Sequence, residues 1–400
     1  MAEAALKPQR RIGVLLRGMV IAGALAISAC VRPSGPPPEP VRPGPAAPTR
    51  PGPAIPVRPG LPEEDTARHR VALLVPLSGS NAGVGRSLAN ATQLAILDTK
   101  AEGVRITTYD TATGAAAAAQ RAVADGNKLI LGPLLAEDAR AVAPIARRAG
   151  VPVLSFSNDT GVAGNGTYIM GYSPAQSIER VVDYARRSGI TEFAGLMPSG
   201  LYGERASTAF LRAVEGAGGR VISLENYSRA PGALNQAIAK IGRSPFQAVL
   251  IADSASGAVT AIPGIRRVNP TARVLGPELW NSDSGVGGLT ALNGAWFASV
   301  SDTRYRTYAG KYRARFSAAP YRLSALGYDA VLLTVRIARD WRPGDAFPTA
   351  RLTDRIGFGG LDGLFRFDRD GVAERALEVQ EIRGGTTVTV SPAPAGFGGR

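Results

Sequence analysis

Between residues 70 and 385 the chain alternates short, wholly apolar runs with longer segments whose apolar positions recur at helical spacing. The runs fall at residues 71–75, 129–131, 151–154, 193–197, 221–224, 248–251, 273–275 and 295–300. Their length predicts strands, and their unbroken apolarity predicts strands covered on both faces. Between them, Leu88, Ala91 and Ala95 follow i, i+3, i+7. Ala139, Val142, Ala143 and Ala146 share one helical face, as do Ile178, Val181, Val182 and Ala185. Ser173-Pro174 reads as an N-cap and first helical residue. Arg147-Arg148 before Gly150, and Arg186-Arg187 before Gly189, place cations in a last turn ahead of a C′ glycine. Such alternation predicts an α/β protein with parallel sheets. No repeat of 20–50 residues appears.

The first seventy residues have a different texture. Lys7, Arg10, Arg11 and Arg17 precede an apolar stretch at 19–29 that is too short to span a bilayer. It ends in "ISAC" at 27–30, which resembles the lipobox of bacterial lipoproteins and implies lipidation of Cys30. Residues 1–29 then form a signal peptide. Residues 31–62 contain thirteen prolines, cannot build a core, and predict a disordered tether over 30–69 that samples polyproline II.

Composition narrows the chemistry. The formal charge is +14, yet only five of the 46 basic residues are lysines. In an exported chain this argues against nucleic acid as a partner. Cys30 is the only cysteine, so no disulfide can form and no thiol remains for catalysis. The single histidine, His69, stands at the tether's edge before the first strand. A Ser-His-Asp triad and a His-ligated metal site in the body are thereby excluded. No Ser-x-x-Lys pattern occurs. These features predict a non-enzyme with no catalytic residues, metal or cofactor.

One local feature bears on binding. The run at 129–131 stops at Gly132-Pro133, and a helix pattern begins just afterwards. Such elbows commonly hold anions on free backbone N–H groups, but here Glu137 and Asp138 occupy the first turn.

The motifs "VALLVPLSG" at 71–79, "LGP" at 131–133, "GVPVLS" at 150–155, "YGE" at 202–204, "GPE" at 276–278, "GYDA" at 327–330, "FGG" at 358–360 and "FDRDG" at 367–371 occur in this order. Together they resemble type I periplasmic binding proteins of the Leu/Ile/Val-receptor group, from about residue 70 to 385. The resemblance implies two doubly wound Rossmann-like lobes joined by crossing strands, with an interlobe cleft. Lobe 1 is then 70–172 plus 303–356, lobe 2 is 173–302 plus 357–385, and 386–400 is a flexible tail. The crossings are expected near 171–174, 301–303 and 357–363. Ligands of open α/β sheets sit at the carboxyl ends of strands, which directs attention to Ser78, Gly132, Ala136, Ser155, Ser157, Asn158, Tyr202, Glu278 and Trp280. The resemblance gives Glu278 an ammonium-holding role and Tyr202 a place in the cleft; Trp280 would cap an apolar group. The serine donors that hold a ligand carboxylate in amino-acid receptors are replaced here by Leu134, Leu135 and Ala136.

Within that group, "GPLL" at 132–135, "GVPVLSFSN" at 150–158 and "RLSALGYDAVLL" at 322–333 resemble penicillin-binding-protein activators. That likeness implies a lipoprotein on the periplasmic face of the outer membrane. Its expected partner is a peptidoglycan synthase, regulated by protein contact. In the enteric examples a helical-repeat domain stands where this chain has its tether. The alternative expectation is the solute receptor of an ABC importer, with a permease as partner and an amino acid or related small ligand in the cleft. For a protein contact the candidates are Arg306, Lys311, Arg313 and Arg315, in the basic and aromatic segment 304–322.

Overall fold

A computed structural model describes residues 67–282 and 285–397. The signal-like segment, Cys30 and the proline-rich stretch through residue 66 lie outside the described residues.

The first sheet contains β1 (His69–Val75), β2 (Val104–Asp110), β3 (Leu129–Leu131), β4 (Val153–Ser155) and β5 (Thr167–Ile169) in the order β2-β1-β3-β4-β5, all parallel. Helices α1 (Ala82–Thr99), α2 (Ala115–Ala124) and α3 (Ala136–Arg148) make its crossovers. Period-two geometry sends alternate residues of β1 to opposite faces. Val71, Leu73 and Val75 join a core with Leu88, Ala91 and Ala95 of α1. Ala72 and Leu74 meet Ala118, Ala122 and Val142 of α2 and α3.

The second sheet repeats this winding. Helix α4 (Pro174–Arg187) leads into β6 (Glu192–Pro198), α5 (Leu201–Gly216), β7 (Arg220–Tyr227), α6 (Ala233–Ile241), β8 (Ala248–Ile251), α7 (Ala255–Val268), β9 (Arg273–Gly276) and β10 (Trp296–Ser299). The parallel strands run β10-β9-β8-β6-β7. One face packs on α6 and α7 through Val249, Ile251 and Phe297. The other packs on α4 and α5 through Phe193, Leu250 and Phe210. The chain then returns to the first lobe as α8 (Thr303–Phe316) and α9 (Ser324–Ala338). A small antiparallel sheet follows, made of β11 (Phe358–Gly360), β12 (Gly363–Phe367) and β13 (Ala373–Arg375). Finally β14 (Glu378–Arg383) and β15 (Thr386–Ser391) add antiparallel strands beside β10.

Three boundaries differ from the sequence expectation. His69 is the first residue of β1, buried and stacked on Trp341 at 4.2 Å. The segment 357–375 belongs to the first lobe, because Phe358, Phe365 and Phe367 fill that lobe's core. The third crossing therefore lies at Ala376-Leu377, not at 357–363. Residues 386–391 are strand β15 rather than tail. Gly384 and Gly385 both take positive φ, as a two-residue hairpin turn requires, and "TTVTVS" supplies a period-two edge strand. The edge strand β2 escaped the apolar-run pattern because an edge meets solvent and carries polar positions, and β5 because it is only three residues long and begins with a buried Thr167.

The elbow after β3 depends on a missing side chain. Gly132 has φ +89°, and a Cβ there would meet the Leu74 carbonyl oxygen at 2.1 Å. Gly150 also has positive φ but open space around it. Gly150→Ala is expected to lose about 1–2 kcal/mol from backbone strain alone. Gly132→Ala is expected to lose clearly more, since β1 must move. Urea denaturation of the two variants tests this; equal losses would mean that the contact with β1 does not matter.

Candidate functional site

The three crossings between the lobes converge on one buried guanidinium. Arg322, in the loop between α8 and α9, donates to Asp362 Oδ1 at 2.7 Å, and Asp362 is fully buried. Asp362 Oδ2 accepts from the hydroxyl of Tyr172, which stands in the first crossing. Arg322 also lies 3.3 Å from Asp302 Oδ1 in the second crossing, and over the Tyr305 ring at 4.1 Å. Asn281 turns its amide oxygen to Arg322 at 3.3 Å and its nitrogen to Asp302 Oδ2 at 3.1 Å. Arg375, just before the third crossing, donates to the Met170 carbonyl at 2.7 Å and faces the Tyr172 ring. Burial pushes the Tyr172 phenol well above its ordinary range, with Asp362 adding to it. Behind this cluster Asp329 accepts from Leu361 N–H at 2.6 Å and so pins the turn that carries Asp362. Burial, reinforced by the charge of Asp362, raises the Asp329 pKa to about 7.

The residues expected to hold a ligand are mostly committed to the protein itself. Ser155 and Ser157 are buried; Ser155 donates to the Pro133 carbonyl at 2.9 Å, and Ser157 accepts from Asp159 N–H at 3.0 Å. Ser78 is exposed and bonded to Asp110 at 3.1 Å. Gly132 has no room beside it, Ala136 is half-buried with no donor side chain, and Asn158 is exposed. Trp280 does not cap a cleft. It is fully buried in the core of the second lobe, donating to the Asp253 carbonyl at 3.1 Å, because Gly276 leaves space for its ring. Glu278 and Tyr202 do come together, with Tyr202 donating to Glu278 Oε1 at 3.2 Å and Ser177 donating to Oε2. Burial raises the Glu278 pKa although both donors oppose it. Glu278 and Ser177 border a cavity of about 20 Å³ shared with Tyr172, Arg322 and Arg375, room for roughly one water.

A second link between the lobes escaped the sequence reading. Asp159 follows β4 in lobe 1 and pairs with Arg205 from α5 of lobe 2 and with Arg140 from α3. Burial pushes its pKa up, but Arg205, the Gly161 N–H and Arg140 outweigh this and hold it below the ordinary range. Asp159 and Arg205 each adjoin a motif used above, one residue beyond Asn158 and Glu204. No sequence spacing connects them.

The larger opening lies elsewhere. A groove of about 870 Å³ runs between the two lobes. On one side are Tyr305, Arg306, Ala309 and Arg313 of α8 with the loop at 319–322; on the other are the loop after β9 and the β14–β15 turn. The four cations proposed for a partner contact do not form one patch. All are exposed, but only Arg306 and Arg313 line the groove, whereas Lys311 bonds Asp98 at 2.9 Å. Residues seven apart share a helical face; Lys311 and Arg315 point elsewhere.

Two lobes of the same winding, hinged on three crossings with an opening between them, define a bilobal binding protein. The chain belongs to the periplasmic binding protein family, whose model matches residues 69–386. It is thus a binding protein of the periplasm and not an enzyme. Solved structures of the same fold include a periplasmic ligand-binding protein of a branched-chain amino acid ABC transporter from Burkholderia xenovorans LB400. It is 18% identical with a TM-score of 0.69, covering 82% of this chain and 95% of that one. Another is an ABC transporter substrate-binding protein from Desulfitobacterium hafniense in complex with Leu (18%, TM-score 0.64, 81% and 100%). A third is a solute-binding protein from R. palustris in complex with benzoate (18%, TM-score 0.60, 82% and 98%). At these identities the likeness is one of fold. An uncharacterized protein of Rickettsia prowazekii (strain Madrid E) is 23% identical over 176 residues, 44% of this chain, and the match spans about half (47%) of that relative's length.

Two expectations follow from this geometry. Arg322→Met strands the Asp362 carboxylate without its cation and is expected to lose about 3–5 kcal/mol in urea unfolding. A loss below about 1 kcal/mol would remove Arg322 from the centre of the hinge. Asp159→Ala removes the ionic link between the lobes, worth about 1.5–3 kcal/mol as charged hydrogen bonding. Small-angle scattering of the variant should show a larger radius of gyration than the parent chain. An unchanged radius would mean that other contacts hold the lobes together.

Proposed function

We propose that the chain is the solute receptor of an ABC-type importer, taking a small molecule between its lobes. The observation that carries this reading is the interlobe groove of about 870 Å³ between α8 and the loops that follow β9 and join β14 to β15, of the size that binds small ligands. The relatives' ligands, Leu in one structure and benzoate in another, support it as a class. Free α-amino acids are poor candidates here. Ser155 and Ser157 are spent on backbone groups, and Leu134 and Leu135 offer no hydroxyl where a carboxylate would dock.

A second reading is favoured by one observation: Asp159 and Arg205 join the lobes with the protein's own charges. A chain tethered through Cys30 to the outer membrane, with lobes held in this way, would instead contact and regulate a peptidoglycan synthase. The two readings separate in a thermal-shift screen of amino acids, aromatic acids and dicarboxylates. A receptor gains about 2.7 kcal/mol at 100 times Kd, a plain rise in Tm. If no solute raises Tm while the purified chain stimulates a synthase, the regulatory reading replaces the importer.

A further inference from the structure

We infer that the interlobe groove binds an elongated dianion, a dicarboxylate or a short peptide with two carboxylates, between Arg306 and Arg313. This rests on the receptor reading and names the solute's class.

The charges in the groove point to it. Arg322 also lines the groove, but its charge is balanced by Asp362 and Asp302. Asp302, the acid on the groove wall, is likewise held by Arg322 and Asn281. Among the described residues Arg306 and Arg313 make no ion pair or side-chain hydrogen bond, Arg306 feeling Asp302 only at longer range, and both are exposed. Neighbouring cations of α8 are engaged: Lys311 with Asp98 and Arg304 with the Gly360 carbonyl. Two guanidinium groups without an ion-pair partner among the described residues therefore face one groove.

Their spacing gives the ligand its shape. Seven residues of α-helix place them two turns apart, about 10 Å along the axis. Each guanidinium offers a planar fork suited to one carboxylate. The wall beside them includes Ala309, Pro320 and Tyr321, the last 52% exposed, a surface for a methylene chain rather than for further charge. A single small anion would satisfy one arginine and leave the other unpaired. A ligand with anionic groups at both ends satisfies both.

The test is isothermal titration calorimetry of the full chain with suberate, whose extended form separates its carboxylates by about this helical spacing. Succinate, 1,8-octanediol and leucine are run beside it. Suberate should bind more tightly than succinate, octanediol should not bind, and added NaCl should weaken the interaction. Arg306→Ala and Arg313→Ala should each weaken suberate about ten- to a hundredfold, the loss of one charged hydrogen-bonding partner. Arg315→Ala, on another face of α8, should leave it unchanged. Absence of heat with suberate, or suberate affinity indifferent to both variants, overturns the inference. Leucine binding that survives the double variant would overturn it while leaving the receptor reading intact. Failure of every solute in the thermal-shift screen would remove both.

Discussion

The buried pair of Arg322 and Asp362 sets the terms for the rest of the molecule. A guanidinium and a carboxylate taken out of water need further hydrogen bonds to offset their lost hydration. Here those bonds come from every direction the chain takes between lobes: Tyr172 from the first crossing, Asp302 from the second, Asn281 from the second lobe. Arg375, beside the third, covers the Tyr172 ring. Asp329 holds the turn on which Asp362 sits. One requirement for polar satisfaction thus ties the first two crossings to a single point, with the third packed beside them through Arg375.

The same principle accounts for the condition of the cleft. Polar groups at the carboxyl ends of the first lobe's strands are already engaged: Ser155 and Ser157 are buried and bonded to the Pro133 carbonyl and the Asp159 N–H, and the exposed Ser78 donates to the Asp110 carboxylate. Glu278 is capped by Ser177 and Tyr202. A saturated group offers little to a ligand, since binding must first break what already stabilises it. The uncommitted polar surface lies instead along α8, where Arg306 and Arg313 face open space.

The architecture was largely legible from the sequence because a central parallel strand must be apolar on both faces. That is why the runs at 129–131 and 248–251 coincide with β3 and β8. Edge strand β2 carries polar residues for the opposite reason, and β15 looked like a tail because Thr and Val alternate there outside any apolar run. Among site residues, Tyr202 and Glu278 could be picked from motifs and do meet. Trp280 could not be placed, because an apolar ring next to a cleft motif serves a core equally well, and the space above Gly276 decided for the core.

By itself, then, the sequence determined what local pattern encodes: the order of strands and helices, the two-sided cores, and a body with a single histidine and no cysteine. Only the tertiary structure decided which charges meet. Arg322 reaches Asp362 across 40 residues, and Asp159 reaches Arg205 across 46. No periodicity links such positions, since the first encounter depends on how the small sheet folds back onto the first lobe and the second on how the two lobes meet. It also decided which cations remain free, because a lysine or arginine is spent or spare only according to the acids that the fold brings beside it.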